Sequence, residues 1–280
     1  MPNTHADLLQ RTTDYIARSR STYSGDAQAA TVLLSDGAWV PGVRVETASF
    51  SLAIDAAVNA ISTSVAAGRY DIVAVALSHP ATTAQASYLT QLGIVPLRQL
   101  NEQVFILRND SPLPALTTEL NPAIRIPESD SARIDFARID FARIDAARRI
   151  AANAFIPESA FPVGCIAVLR DGTAIPGVNV ENVDWNRIIC AERNAVGTIA
   201  SYGLAPASKL YLSCPLDPQG SPCGACRQVL AELAPGSTIL MDRGPEPPHT
   251  TTPEALLPGS FTGTALLRRH DSESDPHQNG

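Results

Sequence analysis

Three cysteines and one glutamate, in the stretches ICAERNAV (189–196) and SPCGACRQVL (221–230), are the residues of this chain whose types and spacing best suit chemistry. Zinc is held by thiolate or imidazole in tetrahedral geometry, and a catalytic zinc keeps three protein ligands and one open position for water. Cys190, Cys223 and Cys226 would supply the three. Glu192, two residues beyond the first, is placed to exchange protons with a water in the open position. A closed structural site would need a fourth ligand from Cys165, Cys214 or a histidine. No suitable ligand follows the CxxC spacing, and both spare cysteines lie in apolar, strand-like runs where a small buried thiol is ordinary. Glu192 could also be a first-turn carboxylate gaining from a helix dipole, but CxE ahead of PCxxC favours catalysis.

These residues need helix ends to position them. Pro222 before CGACRQVLAEL, with Pro235 and Gly236 after it, predicts a helix over about 223–234, and Cys190 begins a second helix that Gly203 ends. Both N-termini would direct their partial positive charge at the thiolates and favour metal binding. Three thiolates overcompensate a divalent ion, and Arg193 and Arg227, each within one turn of a ligand, could offset that charge by hydrogen bonds to sulfur.

The chain also repeats itself. SDGAWVPGVRVE (35–46) aligns without gaps on RDGTAIPGVNVE (170–181), seven of twelve positions being identical at an offset of 135. The same offset sets Asp55 on Cys190, Ala57 on Glu192, Val58 on Arg193 and Arg44 on Asn179, while TTAQASYLTQL (82–92) covers CGACRQVLAEL without a cysteine. The first copy therefore cannot hold this zinc, although its apolar pattern predicts that it folds. Each copy reads as a helical stretch, an apolar run broken at Asp-Gly, a helix closed by glycine, a strand and a further helix. That order predicts an α/β fold.

The expected organisation is a degenerate domain at 1–120, a linker and repeat helix at 121–145, a catalytic domain at 146–266 and a disordered tail at 267–280. In the linker helix, ARIDF recurs, Ile134, Ala137, Phe141 and Ile144 share one stripe, and Asp135 with Arg138 and Asp140 with Arg143 are spaced as ion pairs. Its charged residues are expected on a solvated face. The first residues show no basic stretch followed by an apolar one, and no window reaches a membrane span, so a cytoplasmic protein without membrane partners is expected. Five cysteines, all in the second half, suit a reducing compartment. A net charge of −7 and 5% aromatic residues argue against a nucleic acid polymer as partner.

The second half resembles the zinc-dependent cytidine deaminase family in FPVG (161–164), NVEN (179–182), CAER (190–193), PCGACRQ (222–228) and ALLPGSF (255–261). The resemblance implies two tandem deaminase-like units, each a mixed β-sheet with helices packed on it. It implies the three-cysteine zinc site, one zinc per chain, a zinc-activated water attacking C4 of cytosine, and Glu192 moving protons. It implies a free nucleoside as substrate, ribose contacts from the segment Asn179, Val180 and Glu181, Phe161 lining the pyrimidine pocket, and a base contact from the backbone N–H of Ala191. It also implies a homodimer of two-copy chains. An asparagine and a glutamate together suit a pair of vicinal hydroxyls, which is favoured over a solvated face alternating on a strand, whereas Phe161 could equally be a core aromatic. Glu158 stands where the family usually has tyrosine, and Val183, Asp184 and Trp185 replace its usual small and tyrosine residues after NVEN. Those changes keep open a related amino-heterocycle, such as a nucleoside antibiotic, as substrate. A non-catalytic, zinc-stabilised binding protein is the reading from a different class.

Overall fold

The computed structural model describes residues 4–109, 111–126, 136–264 and 266–267. The start of the ARIDF repeat, with Ile134 and Asp135, and the expected tail beyond 267 lie outside the described residues.

Two units follow one another. The first runs α1 (Thr4–Asp14), β1 (Ala29–Leu34), β2 (Trp39–Val43), α2 (Ala56–Ala66), β3 (Ile72–Leu77), α3 (Thr83–Thr90), β4 (Leu97–Gln99) and β5 (Val104–Leu107). The second runs α4 (Phe136–Ile150), β6 (Gly164–Val168), β7 (Ala174–Val178), α5 (Ala191–Ser201), β8 (Lys209–Ser213), α6 (Gly224–Leu233), β9 (Thr238–Arg243), β10 (Glu246–Thr251) and α7 (Pro253–Leu256). The hairpins β1–β2 and β6–β7 turn at Asp-Gly, where Gly37 and Gly172 take φ of 82° and 89°.

The sheets have the orders β2-β1-β3-β5-β4 and β10-β9-β8-β6-β7. Only the second is mixed, because β9 runs parallel to β8. In the first, every pairing is antiparallel, which corrects the expectation of a mixed sheet in each unit. The reason lies in which strand of the last pair is apolar. In the second unit that strand comes first: Ile239, Leu240 and Met241 are buried, while β10, EPPHTT, carries two prolines and keeps to the edge. In the first unit it comes second: Val104, Phe105 and Ile106 are buried, so β5 takes the inner place and the three-residue β4 the edge.

Between the sheets, α2 and α5 pack on each other, and each contacts both β2 and β7. Every residue of α2 is buried. Close approach of helix to strand is possible because Gly42 and Gly177 face the helices: a Cβ on Gly177 would lie 2.2 Å from the Ala191 carbonyl, and one on Gly42 2.3 Å from that of Ala56. The connection at 111–126 follows the outer strands, Leu120 N–H donating to Trp39 O at 2.8 Å and Ile124 N–H to Ala174 O at 2.9 Å. It therefore occupies exposed sheet edges.

Helix α4 departs from the expected linker helix. It continues to Ile150 and packs on β6 and β8, with Ile144, Ala146 and Ala147 buried against Ile166, Val168 and Tyr211. Its charges are not simply a solvated face: Asp140 accepts from Lys209 Nζ at 3.1 Å, and Arg143 donates to the Tyr211 hydroxyl at 3.1 Å. Phe141, expected on the apolar stripe, is exposed.

Candidate active site

Cys190 is the N-cap of α5, and Cys223 is the N-cap of α6 with Cys226 one turn further on. The two helix starts thus bring all three thiols together. Cys190 Sγ lies 3.7 Å from Cys223 Sγ, which lies 3.6 Å from Cys226 Sγ, and the three sulfurs fall within 4.8 Å of one another. Three thiolates about 2.3 Å from one tetrahedral zinc would stand about 3.8 Å apart, so the cluster has the dimensions zinc requires. Its hydrogen bonds with Cys190 and Cys226 pull Cys223 well below the ordinary thiol value, and those two thiols are pushed up.

Glu192 begins α5 with only 4% of its surface exposed. Burial pushes its carboxyl up to about 7. It faces a cavity of about 450 Å³ together with Cys190, Cys223, Phe161, Asn179 and Ile188, a size within the range of small-molecule sites. The far wall, Leu212, Cys214 and the loop at 217–221, had no motif to announce it. Arg243 braces that loop through the carbonyls of Pro218 and Gly220 at 2.9 and 3.0 Å.

One lip of the cavity is the loop at 156–163. Asn179 holds it by accepting from Val163 N–H at 2.8 Å and donating to Phe161 O at 2.9 Å. Glu181 lies beneath, buried, accepting from the N–H groups of Glu158 and Ser159 at 2.9 and 3.1 Å and from the Ser159 hydroxyl. Burial alone would raise this carboxyl, but the serine and the two N–H groups outweigh it and hold it below its ordinary value. The clamp steadies Ala160, whose left-handed φ of 52° costs about 1 kcal/mol for a residue with a Cβ.

Phe161 and Asn179 therefore reach the cavity, whereas Val180 and Glu181 do not line it. Val180 pairs with Ile189, and the carboxylate of Glu181 is taken up by the loop. Both arginines expected beside sulfur bond backbone carbonyls, although the buried Nε of Arg193 has no hydrogen-bond partner among the described residues. Arg227 donates to Pro222 O at 2.8 Å and the Ser221 hydroxyl at 3.1 Å, and Arg193 donates to Leu52 O of the first unit at 3.1 Å.

Sequence comparison agrees with this site. The family described as "Cytidine and deoxycytidylate deaminase zinc-binding region" matches residues 140–241. A cytidine deaminase of Sporosarcina psychrophila is 38% identical over 110 residues, covering 39% of this chain and 81% of the relative. One from Mycobacterium tuberculosis is 41% identical over 116 residues, covering 39% and 80%. The crystal structure of cytidine deaminase from Burkholderia pseudomallei, at 32% identity, covers 43% of this chain and 98% of its own, with a TM-score of 0.41. The chain belongs to the cytidine deaminase family.

Proposed function

We propose that the second unit hydrolyses cytidine, and 2′-deoxycytidine with it, to the uridine nucleoside and ammonia, as an enzyme of pyrimidine salvage. The observation that carries this reading is the convergence of three thiols and a buried glutamate on one cavity wall. Cys190, Cys223 and Cys226 would hold one zinc per chain; when bound, it supplies a Lewis acid that makes water nucleophilic at neutral pH. Glu192 takes the proton of the attacking water as oxygen adds to C4, and delivers it to N3. It then carries the second proton to the departing amino nitrogen, so that the C4–N bond breaks, ammonia leaves and C4 keeps its oxygen as a carbonyl. A carboxyl poised near neutrality suits both directions of transfer.

Phe161 on the wall would pack against the pyrimidine, and the Ala191 N–H at the start of α5 would bond the base. Asn179 would meet the ribose hydroxyls, and Glu181 would join it when a hydroxyl displaces one of its loop partners. The first unit is proposed to be a degenerate deaminase copy with a structural role. Phe50 is 89% exposed, which suits pairing of two chains into a homodimer. All five cysteines are free thiols and, among the described residues, no helix is long and apolar enough to cross a membrane; both fit a cytoplasmic enzyme. Ammonia release measured across cytidine, deoxycytidine, cytosine, adenosine and guanine compounds tests the proposal. Turnover of cytidine and deoxycytidine alone is expected, and no turnover of either by zinc-loaded protein would overturn it.

A further inference from the structure

The three zinc-ligand positions have counterparts in the first unit, and those counterparts are bonded to one another. Asp55 caps α2 as Cys190 caps α5, while Thr82 and Gln85 stand at the N-cap and third position of α3, as Cys223 and Cys226 do at α6. One oxygen of Asp55 accepts from the N–H groups of Ala57 and Val58 at 2.9 and 3.4 Å, and the other from Gln85 Nε2 at 2.9 Å. Gln85 and Thr82 complete a capping box, with bonds of 3.1 and 3.2 Å. Hydrogen bonds thus join the same two helix starts that the thiol cluster joins in the second unit.

A cation enters this cluster from the catalytic unit. Arg187 Nη1 lies 3.8 Å from Asp55 Oδ2, its Nε lies 3.4 Å from Asp184, and its guanidinium stacks 5.5 Å from the ring of buried Tyr88. Only 16% of the Arg187 side chain is exposed. Arg187 ends the 3-10 turn Trp185–Arg187, immediately before Ile188, a wall residue of the catalytic cavity. On the other side of the ligand, Arg193 is tied to Leu52 O. Cys190 and Glu192 therefore sit between two arginines that both reach into the first unit.

We infer that Arg187 is a positioning residue for deamination, and that the zinc-free unit, through Asp55, holds the segment that places Ile188, Cys190 and Glu192. The inference rests on the deaminase reading of the second unit. At the position of the lost ligand, the first unit now has a carboxylate that receives a guanidinium in place of a metal ion. The long arginine is suited to this because its planar group can face a carboxylate and stack on tyrosine at once.

The test uses full-length, zinc-loaded Arg187→Leu, Arg187→Lys, Asp55→Asn and the double variant Asp55→Asn/Arg187→Leu, with zinc content and Tm measured for each. Arg187→Leu and Asp55→Asn are expected to raise KM for cytidine by about tenfold with kcat changed by no more than about threefold, because the wall moves while the proton carrier stays. Arg187→Lys should recover most of the loss, and the double variant should be no worse than either single one, as residues acting through one contact do. A readout independent of turnover comes from the chain's two tryptophans: Trp39 is buried and Trp185 exposed, so iodide-sensitive fluorescence reports the Trp185 turn. Its anisotropy should fall in Arg187→Leu and Asp55→Asn. Wild-type KM and anisotropy in both single variants, or losses that multiply in the double variant, would overturn the contact. Absence of cytidine turnover in the wild type would sink the deaminase reading instead, and the Trp185 signal would still decide whether Asp55 holds the turn.

Discussion

Thr63 Oγ1 and Thr198 Oγ1 meet at 2.7 Å where α2 packs on α5. The two residues are 135 apart, so they are the same residue of the repeat meeting itself across a local two-fold. Their neighbours obey the same symmetry. Asn59 Nδ2 donates to Val43 O at 2.9 Å and Gly197 O at 3.1 Å, while Asn194 Nδ2 donates to Val178 O and Ser62 O, both at 3.0 Å. The seam is buried and polar, which fixes register as an apolar contact alone would not.

From this seam follows a stability prediction. Thr198→Val leaves the Thr63 hydroxyl without its partner and should cost about 1–2 kcal/mol, whereas Thr63→Val/Thr198→Val removes both hydroxyls and should cost no more than the single change. Urea unfolding of the three proteins measures this, and strictly additive losses would show that the two hydroxyls are not a pair.

Removing residues 1–120 uncovers the face of α5 and β7 that α2 now covers. Apolar patches of more than a few hundred Å² associate, so the shortened chain should be insoluble or should assemble from catalytic units, with impaired activity. Light scattering and activity measurement decide it, and a soluble, fully active monomer would refute the scaffold role of the first unit.

Glu46 repeats the loop clamp of Glu181, accepting from Tyr23 and Ser24 N–H at 2.9 and 3.1 Å and from the Ser24 hydroxyl. Burial works against ionisation of both carboxylates, but their hydrogen bonds prevail and hold them below the ordinary value. A depressed folded value means stability that is fully present above the unfolded value of about 4.3 and is lost as pH falls through the folded one. Acid unfolding should therefore be less steep below about pH 4.3 in Glu46→Gln and Glu181→Gln than in the wild type; an unchanged slope would show that neither clamp contributes.

Metal content should be one zinc per chain, because Asp55, Thr82 and Gln85 offer no thiol where the second unit has three. Cys223→Ala should lose it. Two equivalents in the wild type, or one retained in that variant, would place zinc elsewhere.

Much of this is legible in the residues. The 135-residue offset, the Asp-Gly hairpins and the caps at Cys190 and Cys223 depend on local sequence and appear where expected. What is not legible depends on contacts between segments. Inner against edge placement of β4, β5, β9 and β10 follows from which run is apolar, VFIL or TILM, a signal present in the sequence but needing the neighbouring strand to give it meaning. That Arg193 reaches Leu52 O and Arg227 reaches Pro222 O, that Glu181 is engaged by Ser159, and that Arg187 crosses to Asp55 are facts of proximity that spacing along the chain does not encode. The repeat helix reads as linker because its charges look solvated along the sequence, whereas Tyr211 and Lys209 of β8 receive them.

The mechanism turns most directly on Glu192, buried at the start of α5 and facing the cavity beside Cys190 and Cys223. Glu192→Gln keeps the size and a hydrogen-bonding oxygen but removes the proton acceptor. Ammonia release from cytidine should fall by at least about 10² to 10⁴ with zinc content unchanged. Turnover near the wild-type rate in zinc-loaded Glu192→Gln would show that the protons are carried by another group and would contradict the mechanism.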